Sequence, residues 1–247
     1  MKPDRLVPAR SRNEVFDRLY EDGRAAVLAG THRQDAPPED GGRWPVTVVA
    51  IPPLSTRETL EGWMTQARAF AGPGHFLTGR TDASHVTIRA LEAYREAAHP
   101  AEARSEAWAS AIADAARDTA PLRLHLTGVT LAAGSVMAQL EPADDGPWAF
   151  MARLRVALGD QAWFEDQWGA RDIWYVNILH LAAPVADPAG LVRWVDAHRE
   201  VPAEEVVLES VSLVRYRYRS AATGRLMAME PWFTTPFRQV DSQPQLT

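Results

Sequence analysis

Apolar and polar positions follow two different periods along this chain, and the switches between them mark its elements. Residues 13–28 carry apolar side chains at helical spacing, and residues 35–42, a Pro/Gly/acid stretch, read as a surface loop. Residues 45–51 (PVTVVAI) are a nearly continuous β-branched run, the pattern of a strand covered on both faces. Ser55-Thr56-Arg57-Glu58 matches a capping box, in which Ser55 and Glu58 would satisfy free backbone donors reciprocally. Leu60, Trp63, Met64 and Ala67 follow at helical spacing, and Gly72-Pro73-Gly74 ends that helix. Next come a strand over 85–91, a helix over 100–118 with Trp108, Ile112 and Ala115 on one face, strands over 122–131 and 135–140, and a helix over 147–158. The order then recurs: a strand over 173–182, a helix capped by Asp187 with Pro188 at its first position, and strands over 206–219 and 225–230.

Each half reads as a strand, a helix and a strand pair, which predicts a duplicated α+β unit whose halves pack face to face around a cleft. The strands 85–91 (HVTIRAL) and 175–181 (YVNILHL) align with Val, Ile and Leu at matching positions, 90 residues apart. Side chains alternate along a strand, so His85 and Thr87 share one face and Val86 and Ile88 the other; Tyr175 and Asn177 are related in the same way to Val176 and Ile178. The apolar faces belong to the core, which leaves the polar pairs facing each other across the cleft.

Composition narrows the chemistry. At 247 residues the chain holds one or two domains with room for a core. It has no cysteine, which excludes disulfides, zinc ribbons, iron–sulfur clusters and thiol nucleophiles. Lys2 is its only lysine, so Schiff-base and P-loop lysine mechanisms are excluded as well. A net charge of −6 argues against strong nonspecific binding to nucleic acid. No apolar run is long enough for a membrane span and the polar, Arg-rich start has no apolar core, so a cytoplasmic location is expected. His75, His99, His125 and His198 show no ligand spacing, and no metal or cofactor is expected.

The HVTI strand, the VVAIPP opening strand, the strand pair after each helix and the second strand at the equivalent place together resemble the two-histidine phosphoesterases. That superfamily contains the 2′-5′ RNA ligase-like proteins and the cyclic nucleotide phosphodiesterases. The resemblance implies a bilobal fold with two antiparallel sheets around a central cleft and helices outside. It places that domain at residues 44–235, after an N-terminal extension and loop (1–43) and before a tail (236–247). It also implies metal-independent chemistry on a small-molecule or nucleotide substrate, namely a 2′,3′-cyclic or 2′-5′ linked nucleotide. In such a site two histidines flank a phosphate, one taking a proton and the other giving one, while Thr or Ser hydroxyls hold the nonbridging oxygens. Imidazole titrates near pH 6.5 and suits either role.

The second motif departs from that pattern, with Tyr175 at the histidine position and Asn177 at the Thr/Ser position. The catalytic residues expected are therefore His85 as general base, Tyr175 as general acid, and Thr87 with Asn177 holding the oxyanion. In this register His180 points to the core, satisfied by a backbone carbonyl. Another register puts His180 at the second histidine position, followed by Ala182 where a hydroxyl is expected. Arg89, Arg215 and His180 are the candidate substrate-binding residues. Arg89 continues the His85 and Thr87 face, and Arg215, Arg217 and Arg219 alternate with tyrosines as either a cleft rim or a solvated sheet face. Trp163 and Trp168 read first as packing residues, with the cleft wall as their alternative place. The same cleft could alternatively serve non-phosphate small-molecule chemistry, or bind a ligand without turnover.

Overall fold

The computed structural model describes residues 12–167, 169, 171–221 and 224–238. Helix α1 (Arg12–Leu28) precedes strand β1 (Val46–Ala50), helix α2 (Leu54–Ala71), strand β2 (Val86–Glu92) and helix α3 (Ala103–Arg117). Strands β3 (Leu122–Ala132) and β4 (Ser135–Pro142) form a hairpin, followed by α4 (Gly146–Leu158), a 3₁₀ turn and the short α5 (Trp163–Asp166). Strand β5 (Trp174–His180), helix α6 (Pro188–His198) and strands β6 (Glu204–Leu208), β7 (Ser210–Ala221) and β8 (Gly224–Pro236) complete the chain. No helix among the described residues is long and apolar enough to cross a membrane.

Two four-stranded sheets result, in the orders β2-β1-β7-β8 and β5-β4-β3-β6, and every pairing within them is antiparallel. The repeated unit is strand–helix–strand: β1-α2-β2 in the first sheet and β4-α4-β5 in the second, with β2 and β5 each at one edge of its sheet. The expected halves, each keeping its own strand pair, need correcting. The strand read as continuous over 206–219 breaks at Glu209, so β6 pairs with β3 while β7 crosses to pair with β1. The first sheet is thus built from both ends of the described chain and the second from its middle. Apolar spacing did not mark this crossing, because both strands are apolar on their covered faces.

Helix α2 buries Thr56, Leu60, Met64, Ala67 and Ala71, one stripe at helical spacing. The capping box expected at its start is not formed. The helix begins at Leu54, ahead of Ser55, and no side chain caps it; Arg57 N–H instead bonds the Pro53 carbonyl at 3.0 Å, and the Arg57 guanidinium reaches the carbonyls of Pro52 and Thr81. Helix α6 has the cap the sequence predicts, Asp187 accepting from Gly190 N–H at 2.8 Å. Helix α1 lies against β3 and α6, α2 packs on α6, and α3 packs on α4. Residues 75–77 join the two sheets: Phe76 exchanges backbone hydrogen bonds with His180 at the end of β5, while His75 and Leu77 do so with Arg225 of β8.

Candidate active site

Edge strands β2 and β5 meet where the sheets approach each other, and both carry a β-bulge at the same repeat position. On β2 the register steps from Val49↔Thr87 to Val48↔Arg89, leaving Ile88 as the extra residue. On β5 it steps from Met137↔Asn177 to Val136↔Leu179, leaving Ile178 extra. A bulge shifts the alternation of side chains by one. Thr87 and Ala90 therefore face the same way on β2, and Asn177 and His180 do so on β5. All four line a cavity of about 490 Å³, together with His85 and Tyr175. The volume is within the usual range for small-molecule sites.

His85, Thr87, Tyr175 and Asn177 are thus brought to one cavity. The His85 Nδ1–H donates to the Ala83 carbonyl at 2.8 Å, which fixes the tautomer and leaves Nε2 as an acceptor. The Tyr216 hydroxyl donates to that Nε2 at 2.8 Å. Burial pushes the His85 imidazole down to about 4, against the opposing pull of the Ala83 carbonyl, so the ring is neutral at pH 7. Burial also raises the Tyr216 hydroxyl above its ordinary value and keeps it a donor.

On the opposite strand, Arg171 donates to the Tyr175 hydroxyl oxygen at 3.3 Å, which leaves the hydroxyl hydrogen free to point at a ligand. Arg171 is itself held by Glu165 at 3.2 Å, and Glu165 also accepts from Ala90 N–H, tying this guanidinium to both strands. Asn177 Oδ1 is buried without a hydrogen-bond partner, a state that costs free energy unless a ligand supplies one.

His180 does not sit in the core against a carbonyl. The Ile178 bulge turns it to the cavity, and its Nδ1 meets the Asp35 carboxylate at 2.9 Å. Asp35 is almost fully buried and accepts from Arg43 at 2.6 Å, with Arg33 at 3.3 Å. Burial works to raise this carboxyl, but the His180 hydrogen bond and the two guanidinium groups outweigh it, so Asp35 is held below its usual range and ionised. Burial lowers His180 by more than Asp35 raises it.

Two expected substrate contacts lie elsewhere. Because Ile88 is bulged, Arg89 falls on the far face, where it bonds Asp166 and, at 2.6 Å, the Ala162 carbonyl. Arg215 is buried against the Ala98 carbonyl at 2.7 Å and the Glu96 carbonyl, away from the cavity. Arg217 pairs with Glu230 and Glu96. The tyrosine face of β7 turns inward instead and brings Tyr216 to the site. Trp163 is exposed while its neighbour Phe164 lines the cavity, and Trp168 lies outside the described residues.

The cations of the cavity are Arg43 and Arg171, neither of which belongs to a recognisable motif. Trp44 forms a further wall, its ring 4.8 Å from His180 and 5.7 Å from Tyr216. Among the described residues it is the only non-glycine with a positive φ, 70°, a backbone state that persists only when its surroundings enforce it. Among the described residues no cluster of three or more His, Asp or Glu side chains is placed to hold a metal ion.

The sequence matches no protein-family model and no curated protein. The structure is similar to TT0787 of Thermus thermophilus, with 18% identity, a TM-score of 0.53, and coverage of 76% of this chain and 96% of that one. It is also similar to a protein solved as a phosphoesterase, with 14% identity, a TM-score of 0.52, and coverage of 80% and 100%. E. coli LigT in complex with 3′-AMP matches at 16% identity and a TM-score of 0.50, over 79% of this chain and 99% of that one. At such identities the likeness is one of fold. The bilobal α+β fold implied by the His85-x-Thr87 resemblance, that of the two-histidine phosphoesterases, is the fold observed.

Proposed function

We propose that this protein is a metal-independent phosphodiesterase-like enzyme acting on a small nucleotide with a 2′,3′-cyclic or 2′-5′ linkage. The observation that carries this reading is the convergence of two bulged edge strands on one cavity, where His85 and Thr87 stand opposite Tyr175 and Asn177 beside two guanidinium groups. A bound phosphate would find hydrogen-bond donors in the Thr87 hydroxyl and the Asn177 amide, and positive charge in Arg171 and Arg43. The unpartnered Asn177 oxygen suits a ligand hydroxyl such as that of a ribose. That a protein of this fold is complexed with 3′-AMP supports a ligand of this class.

In the reaction, water attacks phosphorus as His85 Nε2 takes its proton, once substrate has displaced the Tyr216 hydroxyl from that nitrogen. The bond from phosphorus to one ribose oxygen breaks, and a group on β5 returns a proton to that oxygen. The Tyr175 hydroxyl, in the same cavity, offers a hydrogen bond to a phosphoryl oxygen. The developing negative charge meets donors already in place, which is where most of the rate enhancement of such sites originates.

Purified protein in excess chelator should convert nucleoside 2′,3′-cyclic phosphates or 2′-5′ linked dinucleotides to monophosphate products. His85→Ala should lower that turnover by about 10²- to 10⁴-fold, the usual worth of a positioned proton-transfer group. Absence of turnover across the panel, or full activity in His85→Ala, contradicts the reading.

A further inference from the structure

We infer that His180, oriented by Asp35, is the group on β5 that protonates the leaving oxygen. This dyad restores a second imidazole to the cavity five residues along from the motif position that Tyr175 occupies. The inference rests on the phosphodiesterase reading and names the residue that completes it.

Four observations lead to it. The bulge at Ile178 places His180 on the cavity wall at the position that Ala90 holds on β2, so the second lobe presents an imidazole where the first has only a methyl group. The Asp35 carboxylate accepts from Nδ1–H at 2.9 Å and so leaves Nε2 as the working nitrogen; that nitrogen has no protein partner among the described residues, whereas His85 Nε2 is engaged by Tyr216. Asp35 is rigidly seated: its N–H bonds the Leu181 carbonyl at 2.7 Å, its carbonyl accepts from Arg225 of β8 at 3.1 Å, and its second carboxylate oxygen accepts from Arg43. The Trp44 ring at 4.8 Å holds the imidazole plane from the side.

An aspartate behind a histidine fixes its tautomer and stabilises the imidazolium when it forms. Charged or titratable groups near His180 are Asp35, Arg43 and Arg33 from the segment before β1, and His85 from the residue just before β2. Of these only Asp35 favours the protonated ring, and burial keeps His180 neutral in the free protein. A phosphodiester anion entering the cavity adds a second negative charge on the open side. The substrate therefore brings a proton with it, and His180 becomes the acid in the complex. In the step itself, water adds to phosphorus and gives a proton to His85 Nε2. The phosphorus–ribose oxygen bond breaks, and that oxygen takes the Nε2 proton of His180. His85 releases its proton to solvent as product leaves, which restores the neutral pair, and the next substrate brings a proton to His180 again.

The test uses substrates that differ in their need for an acid. A nucleoside 2′,3′-cyclic phosphate expels an alkoxide that must be protonated, whereas bis(4-nitrophenyl) phosphate expels 4-nitrophenolate, which leaves as a stable anion. His180→Gln and the near-isosteric Asp35→Asn should lose about 10²- to 10⁴-fold on the cyclic nucleotide and less than about tenfold on the nitrophenyl ester. His85→Gln should lose activity on both. Calorimetric titration with 3′-AMP at pH 7 in buffers of different ionisation enthalpy should show proton uptake by the wild type that Asp35→Asn abolishes. Equal losses on both substrates would mean that the dyad only supports the fold, and leaving-group selectivity in Tyr175→Phe would make the phenol the acid; either overturns the inference while leaving the phosphodiesterase reading in place. Proton uptake that survives Asp35→Asn overturns it as well. A wild type that neither turns over these substrates nor binds 3′-AMP overturns the phosphodiesterase reading and the dyad's role with it.

Discussion

In the proposed reaction His85 acts as the base, a role that suits an imidazole the protein keeps neutral. Its imidazole, near 6.5 in an unfolded chain, is lowered to about 4 by burial, so between those values the unfolded chain binds a proton that the folded one refuses. The resulting stability is complete above pH 6.5 and is lost as the pH falls toward 4, by about 2 kcal/mol at pH 5. Thermal unfolding should therefore show a Tm several degrees lower at pH 5 than at pH 7, and His85→Gln should flatten that dependence; an unchanged slope would contradict the assignment. The same titration shapes catalysis. In the proposed reaction His85 stays free down to about pH 4, so kcat/KM should fall on acidification only as His85 itself protonates. Alternation and the His-x-Thr pattern made His85, Thr87, Tyr175 and Asn177 legible in the sequence. Asp35 was hidden, because an acid in a Pro/Gly-rich stretch carries no local sign that a histidine 145 residues away will bury it.

At the scale of elements, period and capping read well wherever a segment packs by one face. The strands opening each repeat, the stripe of α2 and the Asp187 cap of α6 follow directly from residue spacing. What failed was counted alternation. A single bulged isoleucine on β2 moved Arg89 off the cavity face, and its counterpart on β5 moved His180 onto it. Bulges answer to the neighbouring strand rather than to local propensity, so no window of sequence contains them. The break at Glu209 is of the same kind, a choice of partner strand made by tertiary packing. The cap supplies a control at this scale: Asp187→Ala should destabilise the protein by about 1 kcal/mol and lower Tm by about 2–4 °C, with kinetic constants unchanged because α6 contributes no side chain to the cavity. A loss of activity from that substitution in folded protein would show that the helix positions the site more tightly than its contacts indicate.

Across the whole molecule, the cavity exists because distant segments close on it. The edge strands of the two sheets supply its opposing walls, and β7, which reaches the first sheet only after crossing at Glu209, adds Tyr216. The segment leading into β1 adds Arg43 and Trp44 together with the buried Asp35. Composition bounded this outcome by removing thiol and lysine chemistry, and the repeat pointed to a cleft between lobes. The cations came from Arg43 and Arg171 rather than from the arginine-rich strand, because β7 is covered on its arginine face by the Glu96 to Ala98 segment. A crystal structure of the protein with 3′-AMP bound tests the central claim most directly. The phosphate should lie between β2 and β5, within hydrogen-bond distance of the Thr87 hydroxyl and the Asn177 amide, with the imidazoles of His85 and His180 on either side. A nucleotide seated instead beside Arg89 and Arg155 on the far face of β2, with this cavity empty, would contradict it.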